Sequence, residues 1–418
     1  MLAPLQKPVS INLDDWQFNI KSSKQMQEFL YEFLGLEPLK AANDKGNYST
    51  DEQTITYYAE NLGVKFCALL IAYRKLSKAK GTYLADIFRN IDHEFFYLHP
   101  EFWLNTAETY RSSSTNPNFQ NIPKHGQIIA EIAWKLIRKL FVAKHPHSKW
   151  LLAEVDYDGA ETKVAGMLGN DPQMIEDLNN DLDMHSHWAI ELFGLKGLSY
   201  KEVKAKYDET YRFLAKNNFT FANFFGAGNS SIAEEFRKSE FYKEYVEGFW
   251  KQNLDRNGSF ENYFIEFSED HIAKCQNAFY DRYSVYKLWQ DNLVKLYYRT
   301  GFVENPFGFR RRYPLKRNEI INYPIQSTSF LLLLDSIIRI EEALEKNNME
   351  SHLIGQIHDS GMSNVVKWEA YDYIELCDEM MLHKPHLPWT QKVKMDTDWT
   401  FGRNWLDMFR VNDYKYVT

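Results

Sequence analysis

Residues 151–161 read LLAEVDYDGAE, an apolar run that leads to Asp156 and continues through Tyr157 to Glu161. Apolar residues before an acid are typical of a buried strand that delivers a carboxylate to the edge of a sheet. If a helix follows this strand, Glu161 lies about one turn into it. The stretch therefore predicts two acids at the junction between a strand and the next element.

A second segment has a related pattern. Residues 353–366, LIGQIHDSGMSNVV, predict two short strands joined at a turn, with His358 and Asp359 at its tip. Taken singly, an aspartate at the end of a strand is more often a cap or a turn former. Two carboxylates, Asp156 and Asp359, that converge from distant strands suit a pair of Mg²⁺ ions, which prefer hard oxygen ligands. This interpretation needs a phosphate-binding group nearby.

Residues 211–228, YRFLAKNNFTFANFFGAG, provide such a group. Arg212 and Lys216 are one turn apart on a predicted helix and could both face a polyphosphate, while Phe221 and Phe225 offer a stacking surface. In isolation, an ordinary amphipathic helix with two surface cations and a phenylalanine core stripe is the favoured interpretation. The segment becomes informative only together with the acids.

Composition indicates an ordinary globular protein. The 418 residues are too many for one compact core, so two or three subdomains are expected. We find no apolar run long enough for a transmembrane helix and no signal peptide, and three widely spaced cysteines favour a reducing, cytoplasmic compartment. The net charge of −8 argues mildly against a nucleic-acid partner, but a basic channel can coexist with an acidic exterior.

Seven segments in order resemble the motifs of the family A DNA polymerases, the polymerase I type, over nearly the whole chain. They are FNIKSSKQMQEFLYEFLG (18–35), YRSSSTNPNFQNIP (110–123), DYDGAE (156–161), DMHSHWA (183–189), RFLAK with FFGAG (212–216 and 224–228), NYPIQST (322–328) and QIHDS (356–360). Each match is weak alone, but seven in the same order make coincidence negligible.

The resemblance implies an α+β fold with the right-hand polymerase architecture. Residues 1–105 would form the thumb and the start of the palm, and residues 106–200 the first part of the palm. Residues 201–311 would form helical fingers, and residues 312–418 the second part of the palm. The palm would contain a small antiparallel sheet.

The implied activity is template-directed DNA synthesis, in which a primer 3′-hydroxyl attacks the α-phosphate of a deoxynucleotide. Asp156 and Asp359 would hold two Mg²⁺ ions, with Mn²⁺ as an alternative, and the backbone carbonyl of Tyr157 would add a ligand. Lys216 would assist catalysis by protonating the pyrophosphate. Glu161 would exclude a 2′-hydroxyl from the sugar pocket.

The remaining roles follow from the same motifs. The residues expected to bind the nucleotide are Glu161, His185, Arg212, Lys216, Phe221 and Phe225. The residues expected to bind primer–template DNA are Arg111, Asn322, Gln326, His358, Lys78 and Lys80. Minor-groove acceptors are shared by all correct base pairs, so such contacts check geometry without reading sequence.

The sequence departs from the family pattern at two places that matter. Ser360 stands where the family has a glutamate, so a third, auxiliary carboxylate is missing from that motif. Phe221 lies five positions after Lys216, where the family spacing is four. Either the helix bulges, as π-turns do at functional sites, or Asn217 takes the usual place of the lysine.

The chain begins at the thumb-like segment, so we expect a polymerase without its own exonuclease domain, of phage-like or split-gene origin. The expected partners are primer–template DNA, dNTPs and a separate exonuclease or processivity protein, with no membrane. A single-subunit RNA polymerase shares the palm and fingers plan, but Glu161 and the NYPIQST segment argue against it. A catalytically impaired DNA-binding relative is the other alternative, motivated by Ser360.

Overall fold

The computed structural model describes residues 18–43, 45–122, 135–252, 259–357, 359–384 and 386–411. They form a mixture of helices and small antiparallel sheets, which confirms the α+β class. The chain divides into two compact units. The first comprises Met1–His99 and Asn116–Arg138, and the second comprises Pro100–Thr115 and Lys139–Thr418.

Helices make up most of both units. The α-helices are Ser23–Gln27, Glu52–Glu60, Lys65–Lys78, Ala85–Asn90, Ala160–Gly169, Pro172–Asn179, Met184–Phe193, Tyr200–Tyr207, Tyr211–Leu214, Phe221–Phe224, Asn229–Arg237, Glu240–Gln252, Phe260–Arg282, Ser284–Thr300, Arg317–Lys346 and Ala370–Leu382. Segments of π-helix are Glu28–Phe33, Ala79–Leu84 and Ala215–Thr220, and 3₁₀ turns are Phe119–Asn121, Lys367–Glu369 and Pro388–Lys392. No helix of the described residues combines the length and apolar character needed to span a membrane.

Nine strands are present in the described part of the chain. They are β1 Glu101–Trp103, β2 Ser113–Thr115, β3 Trp150–Tyr157, β4 Phe302–Glu304, β5 Arg310–Arg312, β6 His352–Ile357, β7 Ser360–Val366, β8 Thr397–Gly402 and β9 Met408–Arg410. The predicted strand before Asp156 and the predicted hairpin at 353–366 are both confirmed. Two pairs, β1–β2 and β4–β5, stand apart from the main sheet.

The main sheet has the order β6-β7-β3-β8-β9, and every neighbouring pair is antiparallel. The strand β3, which contains the apolar run that the sequence predicts to be buried, lies at the centre of the sheet. Its neighbours come from the last third of the chain, so residues that are distant in sequence meet around Asp156. This topology brings the two predicted acidic segments together.

One face of the sheet is covered by helices. Alternate residues of β3, including Val155 and Tyr157, belong to the main hydrophobic core, where the Arg317–Lys346 and Ala370–Leu382 helices also place apolar side chains. The Tyr157 hydroxyl is hydrogen bonded to Ser336 and to the carbonyl of Met381 on these helices. Because successive side chains alternate across a strand, Asp156 points to the opposite face.

A glycine makes the connection from β3 to the next helix possible. Gly159 has φ +62° and immediately precedes the Ala160–Gly169 helix. Glycine adopts this left-handed conformation without the clash that a Cβ would cause. The chain can therefore turn at once from strand to helix, which puts Glu161 in the first helical turn.

The first unit has a separate small core. It is built from Met26, Leu30, Ile55, Tyr58, Cys67 and Leu70. Ser22 caps the first helix by accepting a hydrogen bond from the Gln25 N–H, as expected of a serine that precedes an apolar-periodic segment. The Asp51 side chain caps the next helix in the same way.

Candidate active site

Asp156 lies on the open face of the main sheet, between two strands. Its register partner on β7 is Ser360, and its partner on β8 is Asp398. Residues directly opposite one another in an antiparallel pair have neighbouring side chains on the same face. Asp359 immediately precedes β7, so its backbone lies beside the strand position of Asp156. The two predicted metal-binding acids are thus brought to the same end of the sheet.

Arg111 links two acids at this site. Its Nη2 lies 2.5 Å from Glu161 Oε1 and 3.3 Å from Asp359 Oδ2. The three side chains are partly exposed, with 32%, 18% and 38% of their surfaces accessible for arginine, glutamate and aspartate. Charge-assisted contacts of this kind are stronger than neutral ones, so Arg111 offsets part of the negative charge of Glu161 and Asp359. Ser112, the next residue, donates a hydrogen bond to the Gln356 side chain.

Burial has the largest single effect on the pKa of Glu161. Desolvation raises the pKa of its carboxyl, the Arg111 charge opposes this, and the nearby charge of Asp359 adds to the rise. The net result is a pKa above the ordinary glutamate value. The first turn of the helix thus presents a poorly hydrated carboxylate whose main partner is an arginine.

Arg212 is held by a second acidic group. Its Nη2 lies 3.1 Å from Asp183 Oδ1, its Nη1 lies 2.6 Å from Asp208 Oδ1, and its Nε donates to Ser186 Oγ at 3.0 Å. Burial alone would raise the pKa of Asp183, but hydrogen bonds from Ser186 and Arg212 lower it below the ordinary value. Asp183 also caps the Met184–Phe193 helix. These contacts hold the guanidinium in one orientation.

His185 lies beside the predicted stacking residues. Its ring centroid is 5.5 Å from that of Phe221, and Phe221 stacks on Phe225 at 6.1 Å with an interplanar angle of 10°. Burial, helped by the charges of Lys216 and Arg212, lowers the pKa of His185 to about 4. Its imidazole is consequently neutral at physiological pH.

The spacing between Lys216 and Phe221 is explained by a π-turn. Residues Ala215–Thr220 are π-helical, and the Phe221 N–H donates to the Lys216 carbonyl, five residues earlier. The bulge that the sequence offered as one of two interpretations is therefore confirmed. Lys216 is exposed, Phe221 is half-buried and Thr220 is buried.

The predicted DNA-binding residues lie at several places in the fold. Asn322 and Gln326 are one turn apart on the Arg317–Lys346 helix, on one face. Lys78 and Lys80 are exposed residues of the first unit. His358 falls outside the described residues.

Sequence reasoning missed two acids of the open face. Glu154 precedes Asp156 by two residues, so it shares its face, and Asp398 is the register partner of Asp156. Asp398 accepts a hydrogen bond from Arg410 Nε at 2.8 Å. The two-residue period of β3 was a signal that could have revealed Glu154. The position of Asp398 beside Asp156 could be known only from the pairing of β3 with β8.

The donor set suits Mg²⁺. That ion is usually held by one or two carboxylates together with substrate phosphates, rather than by a cage made entirely of protein. Asp156, Asp359 and the Tyr157 carbonyl supply hard oxygen atoms of this kind. Throughout the described ranges, no three His, Cys, Asp or Glu residues converge closely enough to form a complete metal site. Substrate oxygens would have to complete the coordination.

Comparisons with known proteins identify the family of the chain. The sequence model of the family described as "DNA polymerase family A" matches residues 5–407 of this chain. DNA polymerase I of Caldicellulosiruptor bescii is 26% identical over 405 residues, covering 94% of this chain and 41% of that protein. The thermostable DNA polymerase I of Thermus filiformis is 26% identical over 401 residues, covering 93% and 42%. The chain thus spans about two fifths of the length of these curated relatives.

The fold also has a solved counterpart. The POL domain of Pol1 from M. smegmatis, in complex with DNA primer-template and dNTP, superposes with a TM-score of 0.73 at 22% identity, covering 95% of this chain and 63% of that one. Enzymes of the matched family generally depend on divalent metal ions. Because the match extends over almost the whole sequence, the chain belongs to DNA polymerase family A.

Proposed function

We propose that this chain is a template-directed DNA polymerase that adds deoxynucleotides to a primer 3′-hydroxyl. The observation that supports this best is the meeting of Asp156 and Asp359 at one end of the sheet, with Arg111 bridging Asp359 to Glu161. A nucleotidyl transfer site needs closely placed carboxylates that are accessible to a phosphate. Family membership gives the reaction class.

Asp156, Asp359 and the carbonyl of Tyr157 would hold two Mg²⁺ ions. Bound there, the ions would lower the pKa of the attacking hydroxyl and neutralise charge on the leaving pyrophosphate. The hydrogen bonds of the Tyr157 hydroxyl to Ser336 and Met381 anchor this end of β3 on the helical layer. That anchoring would limit movement of the neighbouring Asp156.

Side chains of the consecutive helical segments at 211–224 would bind the nucleotide. Arg212 is oriented by Asp183 and Asp208, and Lys216 is exposed near His185. Both cations could contact the triphosphate, and Lys216 could give a proton to the departing pyrophosphate. Because His185 is neutral, it would act as a hydrogen-bonding group rather than as a charge.

The sugar pocket would have Glu161 on one side and Phe221 on the other. Glu161 would occupy the space that a 2′-hydroxyl requires, and Phe225 would support the ring of Phe221 by stacking. Such a pocket selects deoxyribose by shape. It would make the enzyme a DNA polymerase rather than an RNA polymerase.

Duplex contacts would involve two kinds of residue. Arg111, Asn322 and Gln326 would reach the minor groove, and Lys78 and Lys80 would bind duplex phosphates. His358 would also bind the DNA. The buried Arg111 Nε and Asn322 Oδ1 have no hydrogen-bond partner among the described residues, which supports a role for both in binding a ligand. The M. smegmatis relative was solved with primer-template DNA and dNTP, and we extend those partners to this chain.

We also assign the domains by the resemblance. Residues 1–105 would be the thumb and the start of the palm, residues 106–200 and 312–418 the two parts of the palm, and residues 201–311 the fingers. Among the described residues of the 201–311 segment, long helices predominate, in keeping with fingers. The main sheet combines strands from the two proposed palm segments.

Primer extension with Mg²⁺ tests the proposal directly. Asp156→Ala and Asp359→Ala should each lower extension by at least about a thousandfold while leaving affinity for primer–template nearly unchanged, because the carboxylates serve the metal ions rather than the duplex. Asp372→Asn, which removes one exposed negative charge from the Ala370–Leu382 helix, is the matched control and should extend normally. Extension within about tenfold of wild type in either alanine variant would end the assignment of the metal-binding acids.

A further inference from the structure

Glu154 is a carboxylate of the open face that the proposed reaction does not yet use. It lies two residues before Asp156 on β3, and it is half-buried. Ser360 Oγ is 2.8 Å from its Oε1, and Trp405 Nε1 is 3.2 Å from its Oε2. Each carboxylate oxygen thus has its own hydrogen-bond donor.

The partners of Glu154 are neutral. No salt bridge found within the described residues includes Glu154, whereas Asp398 on the same face is paired with Arg410. The Ser360 hydroxyl lies near both Glu154 and the carbonyl of Ile357, but it has one proton to donate. An ionised carboxylate is the stronger acceptor, so the proton is best placed toward Glu154. Hydrogen bonds from neutral groups therefore orient the Glu154 side chain, and no cation among the described residues forms a salt bridge with it.

Ser360, which donates to Glu154, lies next to both proposed metal-binding acids. Ser360 is the register partner of Asp156 and follows Asp359, and it stands where the family pattern has a glutamate. A hydroxyl at this position cannot supply a negative charge, but it holds a carboxylate that enters from the adjacent strand. The charge missing from β7 is thereby present on β3.

We propose that Glu154 is an additional acid of the metal site, positioned by Ser360 and acting from outside the direct ligands. This inference rests on the proposed function, since it assumes that Asp156 and Asp359 hold metal ions. Among the described residues Glu154 belongs to no group of three possible metal ligands, so the role assigned to it is that of a nearby negative charge rather than of a direct ligand. Ser360 is a positioning residue that acts through Glu154.

Metal affinity without turnover is the appropriate measurement. The enzyme is bound to primer–template whose primer ends in a dideoxynucleotide, the next dNTP is added, and Mn²⁺ binding is followed by electron paramagnetic resonance. Wild type should bind Mn²⁺ saturably, and Asp156→Ala should abolish the tight binding. If Asp156→Ala binds Mn²⁺ like the wild type, the proposed metal site itself fails, independently of Glu154.

Given a working metal site, Glu154→Gln should weaken Mn²⁺ binding roughly tenfold, the usual scale for an outer-shell partner. Ser360→Ala should weaken Mn²⁺ binding less than Glu154→Gln does. The pair Glu154→Gln with Ser360→Glu should recover most of the affinity, because it returns a carboxylate to the neighbouring strand. Asp372→Asn should have no effect.

Two outcomes overturn the inference while leaving the proposed function intact. One is Mn²⁺ affinity within about twofold of wild type in Glu154→Gln. The other is a loss in Glu154→Gln that the second substitution at Ser360 does not reverse, although both proteins melt at the wild-type temperature. If Glu154→Gln does not fold, the Mn²⁺ affinities of Ser360→Ala and Ser360→Glu, each as a single substitution, test the role of Glu154 instead. Ser360→Ala with unchanged affinity then counts against the inference.

Discussion

The Phe221 N–H donates a hydrogen bond to the carbonyl of Lys216, five residues earlier in the chain. The Thr220 side chain makes a parallel contact, with its Oγ1 2.8 Å from the carbonyl of Ala215. The backbone bond is that of a π-turn, which absorbs one extra residue, and the Thr220 hydroxyl adds a second contact across the same turn. Phe221 thereby stays half-buried beside His185, while Thr220 is fully buried.

Phe221→Tyr should relax discrimination against dideoxynucleotides. If Phe221 forms a wall of the proposed sugar pocket, a tyrosine hydroxyl there would compensate for a missing 3′-hydroxyl. A tenfold change corresponds to about 1.4 kcal/mol, within reach of one buried polar contact. The ratio of kcat/KM for dNTP and ddNTP measures the effect. Phe213→Tyr, at an exposed phenylalanine about two turns earlier, is the control and should leave the ratio unchanged. An unchanged ratio in Phe221→Tyr would remove this residue from the sugar pocket.

Deleting the exposed Asn217 should be tolerated. The deletion restores the family spacing of four between Lys216 and the phenylalanine, so the π-turn can become an ordinary α-helical turn with its flanks in the same register. We expect primer extension within about threefold of wild type and an unchanged melting temperature.

The matched control is deletion of Lys274, which is also exposed but lies in the regular Phe260–Arg282 helix. There the loss of one residue rotates the remaining helix by about 100° relative to its core contacts. That variant should lose its stable fold. If both deletions are equally damaging, the π-turn is not simply an inserted residue.

The sequence predicted the acids better than it predicted their surroundings. Asp156 and Asp359 could be found because apolar runs and turns are local signals. The register that places Asp398 beside Asp156 depends on pairing between strands that are far apart in the chain, which no local pattern contains. The ion pair of Arg212 with Asp183 was unpredictable for a related reason, since it depends on how two helices pack, whereas the pair with Asp208, four residues earlier, is local.

Gly226→Ala should destabilise the protein strongly. Gly226 has φ +74°, and an added Cβ would lie 2.3 Å from Cδ1 of Ile321. Backbone strain of about 1–2 kcal/mol would add to a steric clash of about 1–3 kcal/mol. Chemical denaturation measures the free energy of unfolding.

Gly301→Ala separates these two costs. Gly301 has φ +77°, but no heavy atom lies within 4 Å of the position that an added Cβ would take, so only the backbone strain applies. Ile321→Val, which removes Cδ1, should rescue part of the loss in Gly226→Ala. Equal losses in the two alanine variants would show that the contact with Ile321 is not a constraint.

His185 should make stability depend on pH in the acid range. Its pKa is about 4 in the folded protein against an ordinary value of 6.5, so the unfolded chain binds the proton first as the pH falls. The stability contributed by the neutral imidazole is present above pH 6.5 and is lost as the pH falls toward 4. The full loss is at most about 3 kcal/mol.

Unfolding of wild type and His185→Gln should be compared between about pH 7 and pH 4, the range that spans the two pKa values. The difference in their unfolding free energies should narrow as the pH falls, because glutamine does not titrate. His187→Gln is a second test, at a neighbouring histidine whose pKa is lowered by burial and by the charge of Arg282, so its difference in unfolding free energy from wild type should narrow in the same direction. A difference that stays constant over this range would mean that the folded protein protonates His185 as readily as the unfolded chain does.

The last prediction separates shape from charge at Glu161. Its carboxylate is 2.5 Å from Arg111 Nη2, so Glu161→Ala removes both the side-chain volume and the partner of Arg111. Glu161→Gln removes the charge but keeps nearly the same volume. If Glu161 excludes a 2′-hydroxyl by occupying its space, Glu161→Ala should raise ribonucleotide incorporation by roughly thirtyfold to a hundredfold, equivalent to about 2–3 kcal/mol, whereas Glu161→Gln should keep most of the selectivity. The measurement is the ratio of kcat/KM for dNTP and rNTP on one primer–template. If both variants lose selectivity equally, the ion pair with Arg111 sets the pocket, and the steric assignment of Glu161 is wrong.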